Sequence, residues 1–193
     1  MADIVAYMKK GTTDVKQNVP AKKAAPAQKT PTPKPDAAKR RSQGKKRILF
    51  IAGNTNHRHG IHEFRAGSLL LADALNQSGL PVEAKVHSYG WPPDESVFDG
   101  VDACIIYADA GGQFGEKYAY LDRKVRAGMG IMFMHYGVHP TKEVGETYYK
   151  KWIGGYFADA FSVNPSWIAD LTPKSGHPVA RGLPSTIRVF DEL

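Results

Sequence analysis

The sequence predicts an α/β fold in which a doubly wound parallel sheet lies between two layers of helices. Short apolar runs, typical of strands that are buried on both faces, alternate along the chain with longer segments that have the apolar periodicity of helices. Strands that alternate with helices in this way form parallel β-α-β units with right-handed crossovers. The expected architecture is therefore a three-layer α/β/α, flavodoxin-like arrangement with strand order 2-1-3-4-5.

The predicted elements begin just after residue 46. Four strands are expected, at residues 48–52, 82–87, 103–107 and 130–134. A helix is expected from about residue 63 to residue 77, and its apolar face includes Leu69, Leu70, Leu71, Ala74 and Leu75. A second helix is marked by Tyr118, Leu121 and Val125. Gly79 and Gly128 are the expected ends of these two helices, because glycine adopts the left-handed conformation that closes a helix.

The positive charge of the chain is concentrated at its N-terminus. The formal net charge of the 193 residues is +7, but residues 1–46 hold twelve basic and three acidic residues, whereas residues 47–193 hold fourteen basic and sixteen acidic residues. A nucleic-acid-binding domain gathers basic residues on its folded surface. We therefore expect no nucleic-acid partner.

Several other function classes are excluded by what the sequence lacks. Cys104 is the sole cysteine, which excludes an internal disulfide and a cysteine-based zinc site. Its place inside an apolar strand predicts a buried side chain that is not a nucleophile. No apolar run reaches the about 18 residues of a membrane span, and no secretory signal is recognisable. The compartment stays open, with the cytoplasm as the default.

The composition divides the chain into three predicted segments. These are a short helix over residues 1–18, a disordered linker rich in Pro, Lys and Ala over residues 19–46, and one domain over residues 47–193. Ile4, Val5 and Met8 share one helical stripe near the N-terminus. Residues 2–11 resemble the closing helix of a c-type cytochrome domain, which implies haem only in an upstream domain and a periplasmic parent protein. The alternative is an isolated amphipathic turn.

Polar residues collect in the loops after the first, third and fourth predicted strands. In an open parallel sheet, ligands bind beyond the carboxyl ends of the strands. The three loops cover residues 53–63, 109–113 and 135–140, and the first and third of them hold five of the seven histidines. The sequence therefore predicts the functional site at this edge of the sheet.

His135 follows the fourth strand directly, at the position of a nucleophile elbow. Neither Ser nor Cys stands there, so a Ser-His or Cys-His nucleophile pair is unsupported. His135 is then a candidate general base, a ligand of a hydroxyl group or of a metal, or a histidine that only hydrogen-bonds beneath its loop. Asp109, Tyr136 and Glu63 complete the candidate catalytic set.

A divalent metal is left open as a cofactor. Neutral imidazole and carboxylate are good zinc ligands, and the candidate ligands are His59, His62, His135, Asp191 and Glu192. His57 and Glu63 are metal-capable by type as well. The spacing matches no helical metal signature, because Ala66 stands where a zincin would have its second histidine. The alternatives are a polar substrate-binding loop and exposed structural histidines.

The chain from about residue 47 onward resembles a known family. The matching stretches are residues 48–53, 59–67, 107–112, 130–136, 152–157, 162–167, 177–183 and 191–193. They resemble the trehalose-utilisation (ThuA-like) domains, whose fold is that of the class I glutamine amidotransferases. Because His135 and Tyr136 occupy the elbow where the amidotransferases have cysteine, glutaminase activity is not expected. Family members continue beyond the motif at residues 191–193, so we expect the domain to be incomplete at its C-terminus.

The resemblance implies a role in carbohydrate metabolism, with trehalose or a keto-sugar as the small-molecule partner. The candidate substrate-binding residues are His59, His62, Gly111, Gly112, Asn164 and Trp167. Asn164 and Trp167 are included because amides bind hydroxyl groups and aromatic rings stack on sugar faces, although a packing role is equally compatible with the sequence. Whether the domain is an enzyme stays open. The alternative is a non-catalytic carbohydrate-binding or scaffold module fused to a haem-containing redox protein.

Overall fold

The computed structural model describes residues 44–54, 57–109 and 114–192. The elements in chain order are β1 (Lys46–Ala52), α1 (Phe64–Gln77), β2 (Val82–His87), β3 (Ala103–Tyr107), α2 (Lys117–Arg126), β4 (Gly130–Met134), the helical segment α3 (142–152), β5 (Ser166–Leu171) and β6 (Ile187–Glu192). Short 3₁₀ turns lie at Glu95–Phe98, His135–Val138 and Pro178–Ala180. The helix predicted over residues 1–18, and residues 19–43 of the predicted linker, lie outside the described residues.

Strands β1 to β4 form one parallel sheet with the order β2-β1-β3-β4. This confirms the predicted order of the first four strands, and β2, β3 and β4 have the predicted bounds. Within the described ranges no fifth strand joins this sheet, since β5 and β6 pair with each other in an antiparallel, two-stranded sheet. Only Ala169 of β5 is buried. A strand this exposed differs from the apolar strands of a parallel sheet, which are buried on both faces.

The larger part of the core lies on the face of the sheet that α2 and α3 cover. Its buried residues include Leu49, Ile51, Cys104, Ile106, Phe114, Tyr118, Leu121, Phe133 and Tyr149. The rings of Phe133 and Tyr149 stack with their centroids 4.3 Å apart. The burial of aromatic side chains such as these contributes strongly to core stability.

Helix α1 covers the opposite face with a different set of residues from the one predicted. Its buried residues are Phe64, Ser68 and Ala72, whereas Leu69, Leu70 and Leu71 are 41%, 71% and 38% exposed. The prediction that Leu69, Leu70, Leu71 and Ala74 form the buried face was wrong, because all four are exposed. Leu75 does pack on the cluster around Phe50, as predicted. Successive helical residues are about 100° apart, so three consecutive leucines cannot share one face.

Asn76, near the end of α1, binds the outer edge of β2. Its Nδ2 donates to the Ala84 carbonyl at 3.0 Å, and its Oδ1 accepts from the Ala84 N–H at 2.8 Å. The first turn of α1 approaches β3, since a Cβ atom added at Gly67 would lie 2.7 Å from Cε1 of Tyr107. These contacts fix both ends of α1 against the sheet.

Cys104 is fully buried, as predicted, and burial raises the pKa of its thiol to about 12. A thiol with this pKa is protonated at neutral pH, so it is a poor nucleophile. None of the helices in the part of the chain that the structure describes combines the length and the apolar character that a bilayer span requires.

Candidate functional site

The turn after β4 is held in place by close packing beneath it. Gly137 is buried, and a Cβ atom there would lie 3.0 Å from the Ile106 carbonyl oxygen. The Tyr149 hydroxyl, which is buried under the turn, donates to the Gly137 carbonyl at 3.0 Å. Burial raises the pKa of Tyr149, so this hydroxyl stays a donor. The turn that carries His135 and Tyr136 is therefore fixed from the core side.

His135 adopts a left-handed backbone conformation, with φ of 53°. This conformation is uncommon for a residue other than glycine, and such residues cluster at functional sites. The His135 Nδ1 accepts a hydrogen bond from the Tyr136 N–H at 2.8 Å. In the neutral ring the proton then lies on Nε2, so the outward edge of this imidazole is a hydrogen-bond donor.

Three imidazole rings meet at this edge of the sheet. The centroid of the His62 ring lies 3.8 Å from that of His57 and 4.8 Å from that of His135. The Tyr136 ring lies 5.2 Å from the His62 ring. His62 is almost fully buried, whereas His135 is exposed. The fold therefore brings the loop after β1 and the turn after β4 together.

Asp109, which follows β3, joins the same cluster. One potential ligand atom each from His57, His62 and Asp109 lies within 4.8 Å of the others. His57 Nε2 lies 3.9 Å from Asp109 Oδ2. The carboxyl ends of β1 and β3 thus supply two imidazoles and one carboxylate to a single point.

A cavity of about 160 Å³ lies beside this cluster, next to the turn after β4. It is lined by His135, Tyr136, Val138, His139, Phe157 and Asn164. The Asn164 side-chain amide donates to the Tyr136 hydroxyl at 3.1 Å. The lining thus combines aromatic rings with hydrogen-bonding groups, which is the composition of small-molecule sites.

His139, which lines the cavity, pairs with the exposed Asp159. Its Nε2 lies 2.7 Å from Asp159 Oδ1. An ionised carboxylate only accepts hydrogen bonds, so Nε2 donates and the neutral ring keeps its free electron pair on Nδ1. The cavity therefore has one imidazole that donates at Nε2, His135, and one whose Nδ1 can accept a proton.

Some of the predicted site residues stand apart from the cavity. His59 is fully exposed and lies 3.8 Å from the Glu63 carboxylate, which accepts a hydrogen bond from the Gly60 N–H. Trp167 lies on β5 and is half-exposed. Neither Glu63 nor Trp167 lines the cavity among the described residues.

Other predicted residues cannot be placed in the site. Gly111 and Gly112 lie outside the described residues. The backbone of Asp191 and Glu192 belongs to the end of β6, where they pair with Trp167 and Ser166 of β5. Their proposed role as metal ligands stays a prediction.

Sequence reasoning missed three members of the site, and it did not choose His57 as a ligand. These are His139 and Phe157, which line the cavity, and Asp159, which pairs with His139. His139 offered a signal, because it lies in the same loop after β4 as His135. Phe157 lay in a stretch that resembles the ThuA-like domains, but nothing marked it as a site residue. Asp159 offered no signal, because it lies in a segment that has no regular secondary structure.

The fold and the site together define an open, parallel α/β domain with a polar site at the carboxyl ends of its strands. No protein-family model and no curated protein matches the chain. A solved structure from Bacteroides uniformis ATCC 8492, described as a ThuA-like protein, is similar to it with a TM-score of 0.56 and 14% sequence identity. The similarity covers 78% of this chain and 60% of that one. The predicted resemblance to ThuA-like domains is confirmed at the level of the fold.

Proposed function

We propose that this chain is a ThuA-like domain that binds a sugar at the cavity between the turn after β4 and residues 157–164. The observation that carries the proposal is the lining, in which Tyr136, Asn164 and two imidazoles surround about 160 Å³ next to aromatic rings. Typical sites for drug-sized ligands occupy roughly 300–1,000 Å³, so this cavity suits a ligand of the size of one sugar unit. The sequence resemblance to ThuA-like domains favours a keto-sugar or trehalose, of which one glucose ring would occupy the cavity.

The two imidazoles suit the recognition of a carbonyl group beside a hydroxyl group. The Nε2–H of His135 can donate to a carbonyl oxygen, and Nδ1 of His139 can accept a proton from the neighbouring carbon or hydroxyl. Proton transfer by a positioned imidazole is general acid–base catalysis. Asp159 orients His139 for this role, since its carboxylate holds the Nε2 edge of the ring.

The proposal is tested by calorimetric titration of the whole chain with trehalose and with a keto derivative of trehalose. We expect one site per chain. His139→Ala and Asn164→Ala should each weaken binding by about 10-fold, since a lost hydrogen bond to a ligand is worth roughly 1–1.5 kcal/mol. The matched control is His177→Ala, which removes an exposed histidine of the β5–β6 connection. Absence of sugar binding, or equal losses in all three variants, would contradict the proposal.

A non-catalytic sugar-binding module is the second candidate. It is favoured by His135 and Tyr136 at the elbow position, where a covalent nucleophile would have to stand. The two candidates separate when the bound sugar is followed by NMR. If the sugar changes chemically, and if Asp159→Asn slows this change but still binds the sugar, the enzyme is supported. Binding of an unchanged sugar supports the module.

A further inference from the structure

We infer that His57, His62 and Asp109 bind one divalent first-row transition-metal ion beside the cavity. Their three potential ligand atoms lie within 4.8 Å of one another. They come from two loops that are far apart in sequence, so the fold itself creates the group. This inference concerns the protein without any sugar and does not depend on the proposed function.

The donor set determines the class of ion. Mg²⁺ and Ca²⁺ prefer oxygen ligands, whereas imidazole suits zinc, iron, cobalt, nickel and copper. Two histidines with one carboxylate form a known set for zinc, with a fourth position left to water or substrate. The expected ion is therefore Zn²⁺ or a related divalent metal rather than an alkaline-earth cation.

The separations are close to those of a bound ion. Three atoms no more than 4.8 Å apart fit inside a circle of radius about 2.8 Å, while zinc–nitrogen and zinc–oxygen bonds are about 2.0–2.2 Å long. Each ligand atom then has to move by at most about 0.6–0.8 Å. His57 can supply such a movement, because its side chain is 41% exposed.

The surroundings of the group favour a defined geometry. His62 is almost fully buried and touches the rings of Phe64, His135 and Tyr136, which limit its rotation. The carboxylate of Asp109 is about three-quarters buried. His135 lies next to this group, but its Nδ1 is occupied by the Tyr136 N–H. We therefore assign His135 as a hydrogen-bond donor beside the ion and not as a ligand.

The test uses the whole chain, purified without a histidine tag and treated with a chelator. All seven histidines lie after residue 56, so the N-terminal segment adds no imidazole ligand. Zinc affinity is measured by competition with a chromophoric chelator, and Co²⁺ is added as a spectroscopic probe of the ligand geometry. We expect one equivalent of bound Zn²⁺, and visible Co²⁺ absorption that Zn²⁺ abolishes.

Two variants and one control decide the assignment. His57→Ala and Asp109→Asn should each weaken zinc binding by more than about 100-fold, since changes in groups that only support the ligands already cost 10–100-fold. His59→Ala is the matched control, because it removes a fully exposed imidazole from the same loop. Circular dichroism verifies that each variant is folded. Substoichiometric zinc in the unaltered chain, or an equal loss in His59→Ala, would overturn the inference.

Discussion

Removal of a single buried hydroxyl should loosen the turn that carries His135. In Tyr149→Phe the aromatic ring and its stacking on Phe133 remain, while the Gly137 carbonyl loses its donor. Tyr149 also interacts with the Tyr118 hydroxyl. A buried polar group left without its partner costs about 1–3 kcal/mol. At about 2 kcal/mol, and with 2–4 °C per kcal/mol for a chain of this size, the melting midpoint should fall by about 4–8 °C.

The assay is thermal and urea unfolding followed by circular dichroism. The control variant is Tyr148→Phe, one residue earlier on α3. Tyr148 is half-buried, and its hydroxyl makes no hydrogen bond within the described part of the chain. This control should change the free energy of unfolding by less than about 0.5 kcal/mol. Equal stability of the two variants would refute the idea that the Tyr149–Gly137 hydrogen bond fixes the turn.

Three further predictions concern other parts of the domain. Gly137→Ala should lower the free energy of unfolding by about 1–3 kcal/mol in urea titrations, because the new Cβ would meet a backbone carbonyl oxygen at 3.0 Å. Cys104 should not react with a thiol reagent at pH 8 in the native protein, and one thiol should appear in denaturant, because burial raises its pKa to about 12. The Arg188 guanidinium donates two hydrogen bonds to Asp170 and lowers the pKa of that carboxyl. The pKa of Asp170 in the folded domain therefore lies below its value in the unfolded chain. The pair stabilises the domain at neutral pH, and this stabilisation is lost as the pH falls through the lowered pKa. An NMR titration of the Asp170 carboxyl measures this pKa, and Asp170→Asn is the control for the effect on stability.

The strands could be predicted from sequence because their signal is local. The runs that became β2, β3 and β4 are bounded by turn residues, and their lengths suit strands rather than helices. The hairpin of β5 and β6 could not be placed in the same way. Asp170 of β5 and Arg188 of β6 lie on an exposed surface. They form an ion pair only once the two strands are side by side, so neither strand shows this pairing in its own sequence.

Which face of α1 packs against the sheet could not be predicted from the helix sequence alone. Ser68 and Ala72 lie against the sheet because small side chains allow close approach there, while the more apolar Leu69 and Leu70 point away. Apolar character alone therefore selected the wrong face. The close approach of Gly67 to Tyr107 is a tertiary contact, which no periodicity in the sequence encodes.

The sequence predicted which loops form the candidate site, but it did not predict which side chains contact one another there. The rule that ligands bind at the carboxyl ends of parallel strands brought His62, Asp109 and His135 to one edge. The sequence could not predict which of His57 and His59 joins the cluster. Both are histidines of the same loop, and only the folded path of the loop decides which one faces Asp109. His57 turns toward Asp109, whereas His59 is fully exposed.

The side chain of Asn76 occupies a place that another polypeptide chain would otherwise fill. An exposed edge strand offers unpaired N–H and carbonyl groups to any extended segment that it meets, and natural proteins block such edges. At Ala84 the amide of Asn76 presents one donor and one acceptor, as a neighbouring strand would. We therefore expect this amide to hinder the pairing of another chain with β2 at Ala84. We expect Asn76→Leu to leave the helix intact and to free the N–H and carbonyl of Ala84 for pairing with another chain.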